Sequence, residues 1–127
     1  IDRIASGGEL ARFLLALKVS LEGDEAPRTL IFDEVDSGVG GAVAAAVGER
    51  LARLGKSTQA LVVTHSPQVA AKGDTHMKIA KTATDSGVIS GTEALDTDAR
   101  TEEIARMLAG EEITAEARAA ALALLES

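Results

Sequence analysis

The spacing of apolar positions changes period several times along the chain. Phe13, Leu14, Leu17 and Leu21 recur at helical spacing and predict a helix from Gly7 to Leu21. Thr29 to Phe32 is a short apolar run, ended by acids and a turn, and predicts a strand. Gly41 to Leu54 returns to helical spacing, Gln59 to Thr64 predicts a second strand, and Ser66-Pro67 opens a short helix from Pro67 to Ala71. Thr75 to Thr82 and Gly87 to Ala94 alternate loosely around Asp85-Ser86-Gly87, which predicts a hairpin rather than more parallel sheet. Helices from about Thr101 to Ala109 and Ala115 to Leu125 close the chain, with Ile104, Met107 and Leu108 on one apolar stripe and Leu122 and Leu125 on another. Both stripes are expected to be packing faces. Glu22 to Pro27 reads as a surface loop, and no internal repeat or low-complexity tract is present. The pattern is α/β with helical additions.

Composition sharpens this. The 127 residues suffice for one domain, and 46% are hydrophobic, but 24 are Ala, two are Phe and none is Trp or Tyr. Such a core is thin per residue and is expected to lean on a partner lobe. The absence of Cys excludes disulfides and thiolate metal sites. No run of about 18 apolar residues or basic-then-apolar leader occurs, so neither a membrane span nor a signal peptide is read from these residues. A net charge of -7 and a pI near 4.8 leave no basic footprint for a nucleic-acid backbone, so any such contact needs other segments, a local patch or an assembled surface.

The candidate chemistry begins at Ser6-Gly7-Gly8-Glu9. Without Cβ atoms, Gly7 and Gly8 let a phosphate approach their amides, and a helix N-terminus behind them adds partial positive charge. The same four residues also read as a capping box, which would be ordinary helix punctuation. Asp33 and Glu34 follow the first strand, and ligands of open α/β sheets lie beyond the carboxyl ends of strands. Adjacent acids there can divide labour, Asp33 for Mg²⁺ and Glu34 for polarising an attacking water; either could instead cap the next helix. His65 ends the second strand as those acids end the first, although a lone His is more often structural. His76 has no metal set around it and is read as structural.

Together, Ile4 to Lys18 (IASGGELARFLLALK), Leu30 to Gly41 (LIFDEVDSGVGG), Val62 to Lys72 (VVTHSPQVAAK) and Arg100 to Thr114 (RTEEIARMLAGEEIT) resemble the C-terminal half of an ATP-binding-cassette (ABC) ATPase head of the SMC-like group, and within it the RecN family. The likeness covers nearly the whole chain. It implies an α/β fold, the C-terminal lobe of an ABC-type P-loop ATPase head, with a short parallel sheet flanked by helices, a hairpin and C-terminal helices. By the resemblance Ser6, Gly7, Gly8 and Glu9 match the ABC signature that meets the ATP γ-phosphate in trans. Asp33 matches the Walker B magnesium aspartate, Glu34 the catalytic glutamate, Asp36, Ser37 and Gly38 the D-loop, and His65 the switch histidine. Ala5 and Ser66 depart from common family choices without touching a phosphate-facing group.

The resemblance further implies ATP and Mg²⁺ as cofactors, ATP hydrolysis, and a role in DNA double-strand-break repair and recombination, in the cytoplasm at the bacterial nucleoid. The implied partners are the protein's own Walker A lobe, a second head in a homodimer, and DNA through the full-length protein, with no membrane. A different SMC-like head is the first alternative; a transporter nucleotide-binding domain would carry a Gln-containing signature more often, and Glu34 and His65 argue against a non-catalytic module.

Such an ATPase also needs Gly-x-x-x-x-Gly-Lys-Ser/Thr to hold the β- and γ-phosphates. Gly55-Lys56-Ser57 does not supply it: Arg50 stands where the first Gly belongs, and the tripeptide precedes a strand instead of following one. Gly55 is expected to end the preceding helix as a C′ glycine. Residues 1–127 are therefore expected to be one lobe holding half an active site. The start at Ile1, just before the signature, fits a fragment whose Walker A lobe and coiled-coil arm lie outside it.

Overall fold

A computed structural model describes Phe13, residues 29–110 and residues 112–127. The expected helix from Gly7 to Leu21 and the loop from Glu22 to Pro27 lie outside the described residues, Phe13 excepted. The chain divides into two compact units, residues 1–72 and 73–127.

The first unit is a β-α-β arrangement. Strand β1 (Thr29–Asp33) pairs in parallel with β2 (Gln59–Val63), Thr29 opposite Gln59 through Asp33 opposite Val63, and helix α1 (Gly41–Gly55) connects them. A parallel pair needs a crossover of this length. Ala44, Val47, Gly48, Leu51 and Leu54 recur on the buried face of α1. Phe32, Ala44, Val47, Leu51, Leu54 and Val69 form the core, with Leu30, Ala60 and Val62 packed against it. Strand side chains alternate between faces, so the opposite face carries Ile31, Leu61 and Val63. Ile31 is 69% exposed there and Leu61 and Val63 are 41% exposed. Helix α2 (Pro67–Ala70) packs on α1, with Pro67 at its first turn.

Gly55 does not act as the expected C′ glycine. Helix α1 runs through it, and the following Lys56 has right-handed backbone, φ -69°. The Leu54 carbonyl accepts from the amides of Ser57 (3.2 Å) and Thr58 (3.1 Å) and from Ser57 Oγ (3.3 Å). Polar residues past the helix end thus satisfy the orphan carbonyl without a left-handed residue.

In the second unit β3 (Met77–Thr84) pairs antiparallel with β4 (Gly87–Ala94) around Asp85-Ser86. The first strand runs two residues later than the alternation suggests, because Thr84 still pairs with Gly87 and its Oγ1 donates to the Gly87 carbonyl at 2.8 Å. Helix α3 (Thr97–Ala109) begins four residues before the expected start, because Asp96 caps it, its Oδ1 accepting from Ala99 N at 2.8 Å. Gly110 ends α3 at φ +83°, backbone that suits glycine, and its amide donates to the Arg106 carbonyl at 2.8 Å. Helix α4 (Ala115–Glu126) starts at Thr114, whose Oγ1 accepts from Ala117 N at 3.2 Å. Ile104, Ala105, Ala117 and Ala121 are buried where α3 and α4 pack, while Leu108 and Leu122 of the expected stripes are exposed. The small alanines allow close helix approach, and Ile104, from the first stripe, is fully buried with them. Glu103 is buried and bonds Lys78 Nζ at 2.6 Å and Arg106 Nη2 at 2.6 Å, tying β3 to α3.

Candidate active site at the carboxyl ends of β1 and β2

Parallel pairing delivers the two candidate strand ends side by side. Asp33, the last residue of β1, is exposed opposite Val63. Glu34 extends the ladder by one bond, its amide donating to the Val63 carbonyl at 2.9 Å. Its φ of +48° lies in the left-handed region, uncommon for a residue with a Cβ. The chain then turns, Ser37 N donating to the Glu34 carbonyl at 3.0 Å and Val39 N to the Asp36 carbonyl at 3.4 Å. Gly38, at φ +74°, completes the turn, and both Ser37 and Gly38 are exposed.

His65 follows β2. Its Nδ1 lies 3.8 Å from Glu34 Oε1, with the two side chains 70% and 59% exposed. That distance is an ion-pair approach when the imidazole is protonated and longer than a hydrogen bond. An open carboxylate and an imidazole at adjacent strand ends can hold and hand over a proton. The two acids of the first strand end thus have their carboxylates in solvent, and the imidazole from the second stands beside one of them.

Asp36 differs. It is only 4% exposed, and Thr64 Oγ1 donates to its Oδ2. The same hydroxyl accepts from Ser66 N at 2.9 Å, and Ser66 Oγ donates to Gln68 Oε1 at 3.0 Å. Thr64 was not among the residues singled out from sequence. The available signal was a hydroxyl-bearing residue at the end of an apolar strand, directly before His65.

Ser6, Gly7, Gly8 and Glu9 lie outside the described residues. Lys56 and Ser57 sit in the closing turn of α1, with Ser57 bonded to Leu54 and its hydroxyl thereby engaged. Among the described residues, no group of three or more His, Asp or Glu side chains is arranged to hold a metal ion. Mg²⁺ in phosphoryl-transfer sites is held by one or two carboxylates plus phosphate and water, so the open carboxylate of Asp33 fits as a single protein donor. No described helix is long and apolar enough to cross a membrane.

No family model matches the chain. Curated relatives do. The DNA repair protein RecN of Xylella fastidiosa (strain Temecula1) is 52% identical over 126 residues, 99% of this chain. RecN of Streptomyces coelicolor is 50% identical over 127 residues, 100% of this chain, and RecN of Rickettsia felis is 50% identical over 125 residues, 98% of it. The chain belongs to the RecN family. It spans only 23% of the Xylella and Rickettsia RecN proteins and 22% of the Streptomyces one. A solved chain from work on ATP-driven dimerization and DNA-stimulated activation of SMC ATPases superposes with a TM-score of 0.59 over 86% of this chain and 65% of its own length, at 18% identity. The RecN segment therefore has the α/β fold of an SMC ATPase head.

Proposed function

We propose that this chain is the C-terminal lobe of an ATPase head in a RecN-type DNA double-strand-break repair protein, and that it hydrolyses ATP only when joined to its Walker A lobe and paired with a second head. The observation that carries this reading is the 3.8 Å approach of His65 to Glu34 beside Asp33, at the carboxyl ends of parallel strands, in a chain half identical to RecN proteins.

In this reading Asp33 supplies a carboxylate oxygen to Mg²⁺, which neutralises charge on the phosphates when bound. Glu34 accepts the proton of the attacking water, for which its open carboxylate is suited. His65, held beside Glu34, orients that carboxylate and offers a proton donor toward the transferring phosphoryl group. The Ser6 to Glu9 segment serves the nucleotide of the opposite head, as the family resemblance implies, so turnover requires pairing. DNA contact belongs to the full-length protein, since this acidic segment lacks the charge for it.

The test is Glu34→Gln in the full-length protein. The amide preserves shape but is a very poor base, so hydrolysis should fall severely while ATP binding persists. ATP should then keep the heads paired for longer, as read by sizing chromatography, because a ligand bound only by the dimer stabilises it. Turnover equal to wild type would remove Glu34 as the base and leave it as support for the turn.

A further inference from the structure

We infer that Asp36 is a positioning residue, whose buried carboxylate clamps the turn after β1 to Thr64 and thereby holds Glu34 opposite His65. The kinetic part of this inference rests on the ATPase reading above; the clamp itself rests on geometry.

The contrast among neighbouring acids is the starting point. Asp33 and Glu34 are exposed, whereas Asp36 is 4% exposed in the same turn. Burying a carboxylate is costly unless it is hydrogen-bonded, so a lone acid placed inward with one side-chain donor reports a constraint. That donor is the Thr64 hydroxyl, 28 residues away in sequence. Because Thr64 Oγ1 accepts from Ser66 N at 2.9 Å, one lone pair is committed to its own backbone while the hydroxyl proton goes to Asp36. Valine would be similar in shape and lose both bonds.

Placement makes the clamp useful. Two bonds join the β1 turn to the end of β2, Glu34 N to the Val63 carbonyl and Thr64 Oγ1 to Asp36. Glu34 is itself the first of the turn's two anchor points, two residues before the second at Asp36, and His65 directly follows Thr64. The backbone bond alone would leave the turn free to hinge. Glu34 also sits at φ +48°, a conformation that costs about 1–3 kcal/mol and persists only where surrounding contacts over-determine it. Asp36 supplies that determination. Thr64 engages Asp36 Oδ2, and Asp36 Oδ1 is buried without a hydrogen-bond partner among the described residues, so the influence of Asp36 on a ligand at the open edge where Asp33, Glu34 and His65 lie is exerted through Glu34 and His65.

The experiment uses the full-length protein with Asp36→Ala, Thr64→Val, their double variant, Thr64→Ser and Asp36→Asn. Nucleotide Kd, kcat and hydrogen exchange of residues 34–38 are measured for each. Misplacing a reacting group by about 1 Å can cost about 100-fold, so kcat should fall at least about tenfold in Asp36→Ala and Thr64→Val, with nucleotide Kd changing less than about threefold. The double variant should be no worse than either single one, since both remove the same bond. Thr64→Ser keeps the hydroxyl and should retain turnover. Asp36→Asn keeps an oxygen acceptor for the Thr64 hydroxyl and should also retain turnover, and if the alanine variant fails to fold, Thr64→Val carries the loss of the bond.

Weakened nucleotide Kd with kcat preserved in the Asp36 variants would overturn the inference by making Asp36 a ligand contact. Additive losses, or Thr64→Ser as impaired as Thr64→Val, would overturn it as well. A wild-type protein that neither binds nor hydrolyses ATP would sink the ATPase reading alone. The clamp would then stand or fall on whether loss of exchange protection at residues 34–38 is non-additive between Asp36→Ala and Thr64→Val.

Discussion

Gly48→Ala should destabilise α1 although alanine is the better helix former. Replacing a helix-interior glycine with alanine is intrinsically worth about 1 kcal/mol. An added Cβ at Gly48, however, would lie 3.1 Å from the Gln68 carbonyl oxygen, 3.1 Å from Lys72 Cγ and 3.2 Å from Val69 Cα. Lys72 can swing aside, but the other two atoms are backbone and cannot move without displacing α2. Inserting atoms into such a contact costs about 1–3 kcal/mol, so the expected net effect is a loss of about 0–2 kcal/mol. Gly55→Ala provides the control, since it lies in the same helix with nothing within 4 Å of the added Cβ. It should stabilise by about 0.5–1 kcal/mol, toward the lower end so close to a helix terminus.

Native-state hydrogen exchange of α1 amides in the full-length protein reads both effects. Comparing the variants largely cancels propensity and isolates packing, about 1–3 kcal/mol. Because α2 begins two residues after His65, turnover should also fall more in Gly48→Ala than in Gly55→Ala. Equal gains in protection from the two substitutions would refute the close α1–α2 approach.

Ser6→Arg should abolish ATP-driven pairing yet leave nucleotide binding by a single head, and mixing it with a Walker A Lys variant should restore partial activity through one intact composite site. Mixed dimers without recovered activity would reduce the Ser6 to Glu9 run to a helix cap, whose loss costs about 0.5–2 kcal/mol. His76 should make the second unit acid-sensitive. Burial foremost, and then the positive charge of Arg100, hold its pKa below the ordinary 6.5. Below that pH the unfolded chain takes up a proton the folded unit resists, so stability is present above about pH 6.5 and is lost as pH falls from there. His76→Gln should flatten this dependence in pH-resolved exchange of the hairpin, and an unchanged slope would exclude His76 as its source.

The elements and their order were legible because apolar period is a local property. Thr29–Asp33, Gln59–Val63 and Ala115–Glu126 lie within a residue of the ends their periodicity suggests. The misplaced start of α3 was itself locally encoded, in Asp96 and the amide it caps, but apolar spacing does not report a polar cap. Exposure of Leu108 and Leu122 was not legible, because which residues of each stripe are covered depends on the partner helix, which buries Ile104 with the alanines and leaves these two leucines outside.

At the candidate site, sequence alone placed acids after one strand and a histidine after another. Tertiary structure decided the rest. Pairing Asp33 with Val63 set Glu34 beside His65, and the same register brought Thr64 to Asp36. Sequence treated Asp36 as one of three residues in a loop, whereas folding turned its carboxylate inward and left Ser37 and Gly38 outside. The physical reason is range: periodicity and capping act over a few residues, while contacts between residues about thirty positions apart exist only once β1, α1 and β2 have packed. Burial of a carboxylate or the approach of an imidazole is then fixed by strand register, which no single segment contains.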